Sequence, residues 1–204
     1  MRAASIVLVL AAIAVALQST RDAGTFNPTR FFAYFTIQSN LIGAAAFAWL
    51  LARGDRPRSR ALELLRGAAA VYLTITFFVV IFLLSDVDVS LDLVWVDVVL
   101  HKVFPIIVVV DWLLDPPGIR LTPRDLPYWL VYPIVWAILT VIRGALDGWY
   151  PYPFLDPANG GYGQVAVTIV AITIGFVVVS LVVMALGNAR SGSRDAPPLA
   201  SSPA

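Results

Sequence analysis

The chain has 204 residues, of which 59% are hydrophobic and only 13% charged, whereas soluble domains are about half apolar and about a quarter charged. A net charge of +1 and the lack of cysteine exclude a nucleic-acid-attracting field, disulfides and thiolate chemistry. With one histidine as well, no cofactor or metal is predicted, because zinc, haem-pair and iron–sulfur sites need more ligands. The composition predicts a polytopic membrane protein.

Six apolar runs approach the length of about 20 residues that a transmembrane helix needs. Lipid offers no hydrogen-bond partners to an open sheet edge, so each span should be helical. The sequence therefore predicts one all-α, six-helix bundle over residues 1–188 and a disordered cytoplasmic tail over 189–204, which is rich in Ser, Pro, Ala and Gly. The runs are Ala3–Gln18, Phe31–Leu51, Gly67–Leu84, Leu91–Leu114, Pro127–Ile142 and Val165–Leu186.

Arginines are distributed unevenly between the two sides of such a bundle, which predicts cytoplasmic N- and C-termini. The first run also fits a signal peptide that ends near Ala14-Val15-Ala16, and cleavage there would leave five spans. The arginines on the N-terminal side are Arg2, Arg53, Arg56, Arg58, Arg60, Arg66, Arg120, Arg124, Arg190 and Arg194. The opposite side carries Arg21, Arg30 and Arg143 with Asp22, Asp86, Asp88, Asp92, Asp147 and Asp156.

The middle of the fourth run carries three ionisable residues, Asp97, His101 and Lys102, each of which costs ~2.5–3.5 kcal/mol to insert into a bilayer. Asp97 and His101 are four residues apart, and helical side chains lean toward the N-terminus, so the imidazole is expected to reach the carboxylate. That contact would fix the tautomer of the ring. Lys102 points some 100° away and either pairs with an acid or holds a substrate carboxylate.

Further along the fourth run, Pro105 removes one helical hydrogen bond and is predicted to kink the helix just below His101. Asp111 and Asp115 fall near the cytoplasmic end, where we expect them to be exposed. The candidate site is therefore confined to the outer half of this run.

The second run contains Thr36, Gln38, Ser39 and Asn40 within five positions. Such residues often hydrogen-bond between membrane helices without further function, but this density also fits a site. If the helix starts at Phe31, Thr36 lies roughly 8 Å below its outer end. That depth allows Thr36 to meet the histidine of the fourth run.

The last external loop, Arg143–Pro157, is rich in aromatics and proline. Trp149 and Tyr152 form either an interfacial aromatic belt or a lid above a polar pocket. Arg143 ends the fifth run on the same side and could bind a carboxylate or phosphate.

Three motifs resemble those of bacterial "Pr-six-Pr" membrane proteins, and the resemblance covers most of residues 1–186. They are Tyr-Phe-Thr-Ile-Gln-Ser-Asn at 34–40, Leu-His-Lys-Val-Phe-Pro at 100–105 followed by Asp111-Trp112, and Trp-Tyr-Pro-Tyr-Pro-Phe-Leu-Asp at 149–156. The resemblance implies a multi-pass protein of the bacterial inner (plasma) membrane.

Those bacterial proteins are similar, more distantly, to the eukaryotic androgen-induced and androgen-dependent membrane proteins. Members of that family hydrolyse fatty acid esters of hydroxy fatty acids with a membrane-embedded threonine nucleophile and a histidine. The resemblance implies that Thr36 is the nucleophile and His101 the base, with lipids as partners and substrate.

Three functions remain open at this point. In a threonine hydrolase, Asp97 would orient His101; Asn40, Lys102 or a backbone N–H would stabilise the oxyanion, and Arg143 or Lys102 would anchor a fatty-acid carboxylate. A proton-linked transporter would use Asp97, His101 and Lys102 as a relay, although the apolar inner halves of most spans disfavour it. A non-catalytic membrane protein would use the same groups to bind a lipid or a partner subunit.

Overall fold

The computed structural model describes residues 1–84 and 93–192, and over these residues the chain is helical without a strand. This confirms the all-α class, and five helices are long and apolar enough to cross a membrane, as a multi-pass protein requires. The helices are α1 (Arg2–Asp22), α2 (Pro28–Phe31), α3 (Phe35–Ala52), α4 (Arg60–Leu83), α5 (Val94–Val98), α6 (Phe104–Leu114), α7 (Leu126–Asp147) and α8 (Gly161–Gly192). A π-helical turn (Val99–Val103) joins α5 to α6, and 3₁₀ turns occupy Pro123–Asp125, Pro153–Leu155 and Pro157–Asn159.

The fourth predicted run differs most from expectation. It consists of α5, the π-turn and α6 in direct succession, and each piece is too short to count alone as a spanning helix. The aspartates predicted for the loop before it, Asp86, Asp88 and Asp92, lie outside the described residues. At the other end, α8 continues to Gly192, and the rest of the predicted tail, 193–204, is likewise outside the description.

The second run does not begin at Phe31 as a continuous helix. Asn27 caps the four-residue helix α2 by accepting from the Arg30 N–H, with Pro28 in its first turn. The backbone turns extended at Tyr34 (ψ 125°), and α3 starts at Phe35. Thr36 therefore lies in the first turn of its helix instead of more than a turn inside it.

Helices α3 and α4 form the centre of the bundle because small residues let their neighbours approach closely. A Cβ on Gly43 would lie 2.8 Å from a ring carbon of Phe104, so only glycine admits that ring. On α4, a Cβ on Gly67 would lie 2.2 Å from Trp129, whose indole N–H donates to the Leu64 carbonyl. These contacts set α6 and α7 against the central pair.

A cluster of ion pairs joins α1, α4 and α6 at the opposite end of the bundle from the polar residues of α3. The expectation that Asp111 is exposed is wrong: it is 4% exposed and accepts from Arg2 Nε at 2.7 Å and from Arg66. Arginines that reach inward from α1 and α4 explain the difference, since they satisfy a carboxylate that the interior would otherwise exclude. The members are Arg2, Arg58, Glu63, Arg66, Asp111 and Asp115.

Candidate active site

Thr36 stands at the open amino end of α3. The first N–H groups of a helix have no carbonyl partner within the helix, and the Thr36 N–H donates instead to the Tyr152 hydroxyl at 3.2 Å. The residue is buried, with 7% of its surface exposed. Its hydroxyl thus lies at the positive end of the α3 dipole, which favours negative charge.

His101 is held by the π-helical turn between α5 and α6. Within this turn the Phe104 N–H donates to the Val99 carbonyl, five residues back, and the next residue, Pro105, has no N–H. The predicted kink below His101 therefore takes the form of a π-turn, a rare feature that is frequent at functional sites. The turn buries the imidazole, which is 7% exposed, against α3.

The structure brings the two sequence-predicted partners into contact. The Thr36 hydroxyl lies 3.2 Å from His101 Nε2. The other ring nitrogen, Nδ1, lies 2.7 Å from the Asp97 carboxylate and 3.2 Å from the Asp97 backbone carbonyl. The Nδ1–H of His101 points at the Asp97 carbonyl oxygen. The Asp97 carboxylate oxygen is close to Nδ1 but does not lie along the N–H direction.

These neighbours define the tautomer of the imidazole. Both Asp97 groups only accept hydrogen bonds, so Nδ1 carries the proton and Nε2 presents a lone pair to the Thr36 hydroxyl. The predicted contact between Asp97 and His101 is confirmed. With hydroxyl, imidazole and carboxylate in this order, the imidazole is placed where a base could take the proton of the hydroxyl.

Tyr152 closes the site from the loop between α7 and α8. Its hydroxyl lies 3.3 Å from Thr36 Oγ1, and its ring stacks on Phe154 with centroids 5.1 Å apart. Burial raises the pKa of the Tyr152 hydroxyl to about 12, in spite of hydrogen bonds from Thr36 that lower it. The hydroxyl therefore keeps its proton at neutral pH and can donate it.

An apolar cleft begins at Thr36 and Tyr152 and extends between α4, α7 and α8. The cleft is narrow: its cavity volume is about 60 Å³, within about 710 Å³ of space that includes its open mouth. Exposed Ile134 on its rim faces the surroundings of the bundle, so the mouth opens sideways. The walls include Ile75, Val79, Leu130, Ile169, Ile172 and Phe176.

The remaining predicted site residues lie apart from this cleft. Gln38 donates to the Phe32 carbonyl at 2.6 Å and accepts from the Tyr132 hydroxyl. Arg143 donates to both oxygens of Thr29. Gln38 and Arg143 line a second crevice, of about 700 Å³ including its open side, which the Trp136 ring separates from the first.

Three further predicted residues have other surroundings. Trp149 packs edge-on against Tyr34, and the guanidinium carbons of Arg30 and Arg143 each lie 5.2 Å from its ring centroid. Lys102 is exposed and lines neither crevice. Asn40 is fully buried and directs its amide N–H groups at the backbone carbonyls of Thr36 and Leu100.

Sequence reasoning missed the π-turn and the apolar cleft. The π-turn had one local signal, Pro105, which lies two residues after the last residue of the turn, Val103. The cleft had none, because its lining comes from five separate segments. No protein-family model matches the chain, and no curated protein or solved structure matches it. Its function is therefore inferred from the side chains themselves.

Proposed function

We propose that this protein is an intramembrane hydrolase that cleaves fatty acid esters through a Thr36 nucleophile. The observation that carries the proposal is the 3.2 Å contact between the Thr36 hydroxyl and the unprotonated Nε2 of His101. Threonine is a weak nucleophile until an adjacent base takes its proton. A buried threonine with that base in place, at the mouth of an apolar cleft, supports acyl transfer from a lipid.

In the first step, His101 Nε2 takes the proton of the Thr36 hydroxyl while Oγ1 attacks the ester carbonyl carbon. The carbonyl oxygen becomes an oxyanion. When the tetrahedral centre collapses, the bond to the leaving oxygen breaks, and His101 gives its proton to the departing alcohol. Asp97 stabilises the imidazolium that exists between the two transfers. The product is an ester between Thr36 and the acyl group.

The second step releases the acid and restores the enzyme. A water molecule gives a proton to His101 Nε2 and attacks the acyl carbon, and Thr36 Oγ1 leaves with the same proton. Side-chain exposure of 27% at Asp97 and 9% at His101 makes the Asp97 side of the imidazole the side nearer to water. The acyl chain then enters from the cleft and water from the opposite side.

Tyr152 and the amino end of α3 are the oxyanion donors in this scheme. The Tyr152 hydroxyl is protonated and lies 3.3 Å from the attacking oxygen. The Tyr152 hydroxyl accepts a hydrogen bond from the Thr36 N–H at 3.2 Å. If this hydroxyl turns toward the substrate oxygen, the Thr36 N–H becomes free to donate to the same oxygen. Donors aimed at the developing charge are the largest single contribution in many acyl-transfer enzymes.

The cleft supports a substrate with a long apolar chain. Its lining is aliphatic and aromatic apart from the hydroxyls of Thr36, Thr76, Thr173 and Tyr152 and the Trp136 indole. Such walls match the apolarity of lipid tails, so an acyl chain that arrives from the bilayer is held there by van der Waals packing. A sideways mouth lets the chain enter from the bilayer.

The proposal includes a six-span topology in the bacterial inner membrane, with α5, the π-turn and α6 together as the fourth span and both termini cytoplasmic. Membership of the Pr-six-Pr family is part of the same proposal. Because the chain has no cysteine, single cysteines report the topology without background. A membrane-impermeant maleimide should label Asn159→Cys but not Asp55→Cys in intact cells, and the reverse pattern would overturn the orientation.

Hydrolysis by the purified protein tests the proposed activity. Wild type is expected to release acid from branched fatty acid esters, while Thr36→Ala and His101→Gln lower kcat by about 10³-fold or more. Thr74→Ala is the matched control, since Thr74 donates to the Ala70 carbonyl within α4 and lines neither crevice. Equal rates in wild type, Thr36→Ala and His101→Gln would refute the proposal.

The second crevice favours one further candidate function, anionic-lipid binding without turnover. Two guanidiniums, of Arg30 and Arg143, flank Trp149 beside an apolar wall that includes exposed Leu139. Native mass spectrometry would then detect phosphatidylglycerol, but not phosphatidylcholine, retained by wild type and lost in Arg30→Gln/Arg143→Gln. Arg21→Gln, which removes another external arginine over an aromatic ring, is the control. Equal retention of both lipids would exclude this function.

A further inference from the structure

The π-turn leaves one backbone carbonyl without a partner in its own helix. In an α-helix the Leu100 carbonyl would accept from residue 104, and in a π-turn from residue 105. The Phe104 N–H donates instead to Val99, and Pro105 has no N–H to donate. Neither register satisfies the Leu100 carbonyl, which directly precedes His101.

Asn40 supplies the missing donor from α3. Its Nδ2 lies 3.0 Å from the Leu100 carbonyl and 2.8 Å from the Thr36 carbonyl. Both neighbours only accept, so the NH₂ end of the amide must face them. Asn40 is fully buried, and a buried carbonyl without a donor is costly.

We infer that Asn40 is a positioning residue that holds the π-turn in the register that aims His101 Nε2 at Thr36 Oγ1. The inference rests on the proposed function for its meaning in catalysis. One amide group bonds the backbone of both partners of the 3.2 Å contact, at Thr36 itself and at the residue before His101. It thereby fixes the distance between nucleophile and base.

Loss of this donor has a defined structural consequence. With Asn40 removed, the only helical donor within reach of the Leu100 carbonyl is the Phe104 N–H, and that bond restores the α register. Each residue of an α-helix is rotated by about 100° from the next. The change from the π to the α register therefore rotates His101 away from Thr36.

The test replaces the long amide by a short hydroxyl. In Asn40→Ser the hydroxyl bonds back to the Thr36 carbonyl, as serine does four residues along a helix, but it is too short to reach Leu100. The matched control is Ser39→Ala, because Ser39 is equally buried and lies 3.1 Å from the same Thr36 carbonyl without contact to the π-turn. Asn40→Leu, which removes both bonds, serves as the second variant.

Nitrogen NMR of the imidazole is the decisive readout, because His101 is the only histidine in the chain. Wild type and Ser39→Ala should give one Nδ1-protonated signal set, and Asn40→Ser a shifted set with mixed tautomers. In the hydrolysis assay kcat should fall about 10²-fold in Asn40→Ser and by no more than about fivefold in Ser39→Ala.

The two readouts separate the inference from the proposed function. Wild-type tautomer and shifts in both Asn40→Ser and Asn40→Leu would overturn the positioning role. A wild type without hydrolytic activity would count against the proposed function, and the NMR comparison would then decide the positioning role by itself. A kcat loss as large in Ser39→Ala as in Asn40→Ser would also contradict the positioning role of Asn40.

Discussion

The sequence predicted Tyr152 as part of an aromatic belt or lid, whereas its proposed role is to donate a hydrogen bond to the oxyanion. Its hydroxyl lies within 3.3 Å of both the Thr36 N–H and the Thr36 hydroxyl. Burial holds its pKa at about 12, so it is a proton donor throughout the neutral range. A donor in this position can follow the charge from the attacking oxygen to the substrate carbonyl oxygen.

Tyr152→Phe should therefore lower kcat for ester hydrolysis by about 10²–10³-fold, as loss of one oxyanion donor does in other hydrolases, with little change in KM. The control is Tyr34→Phe, because the Tyr34 ring packs edge-on against Tyr152 with centroids 5.7 Å apart. Steady-state kinetics of the two variants decide the matter. An equal effect of both changes would assign Tyr152 to packing alone.

Asp97 is the proposed partner that stabilises His101 as the base. Its carboxylate lies 2.7 Å from His101 Nδ1, where it favours the imidazolium that exists between the two proton transfers. Asp97→Asn removes that charge and keeps the shape. We expect kcat for ester hydrolysis to fall by about 10²–10⁴-fold in this variant, and an unchanged kcat would show that the carboxylate does not assist the base.

At the scale of elements, α7 determines how deep the cleft is. Leu130 and Trp136 both line the cleft, and Leu130 precedes Trp136 by six residues, or about 9 Å along α7. The Trp136 ring is next to Tyr152, with centroids 6.1 Å apart. Leu130→Trp should fill the far end of the cleft. We expect kcat/KM to fall for long acyl chains and to stay near wild type for short ones. An equal loss of kcat/KM for all acyl-chain lengths would show that the acyl chain binds outside this cleft.

The ion-pair cluster joins α1, α4 and α6, and its central arginine, Arg66, is 3% exposed. Arg66→Met removes one of the two arginines that pair with each of the buried carboxylates Glu63 and Asp111, and leaves them only Arg58 and Arg2. It should destabilise the protein by about 3–5 kcal/mol, measured by thermal unfolding in detergent. Arg143→Met is the control, because Arg143 pairs with Asp147 at the surface and such pairs contribute about 0–1 kcal/mol. A similar effect of the two changes would contradict the account of the cluster.

Acid should weaken the same cluster. Burial tends to raise the pKa of the Asp115 carboxyl, but the hydrogen bond from Arg2 and the charges of Arg58 and Arg66 outweigh it and lower the pKa. A lowered pKa stabilises the fold fully above the ordinary value of about 3.9, and this contribution is lost as pH falls through the lowered value. Melting temperatures should thus fall less between pH 5 and pH 3 in Asp115→Asn than in wild type.

For the whole molecule, local patterns were sufficient to predict the long helices and the contact of Asp97 with His101, but not the breaks in the second and fourth runs. Composition and run length predicted the helical class of the described residues and apolar helices long enough to cross a membrane. The contact between Thr36 and His101 joins residues 65 apart. Equal depth allowed that contact but could not specify it.

Other features escaped prediction because they depend on which helices pack together. Asp111 was expected at the surface, and only the approach of α1 and α4 buries it. The polar residues of the second run lie at three places: Thr36 contacts His101, Asn40 contacts the π-turn and Gln38 lines the second crevice. Spacing along one helix could not separate these roles.

Covalent labelling of the nucleophile tests the central claim most directly. An alkyl fluorophosphonate should react with wild type through attack of Thr36 Oγ1 on phosphorus and loss of fluoride. Intact-protein mass spectrometry should then show one adduct, mapped to the peptide that contains Thr36 and absent from Thr36→Ala and His101→Gln. A hydrolytically active wild type that carries its adduct on another residue, or whose labelling persists in His101→Gln, would contradict the account.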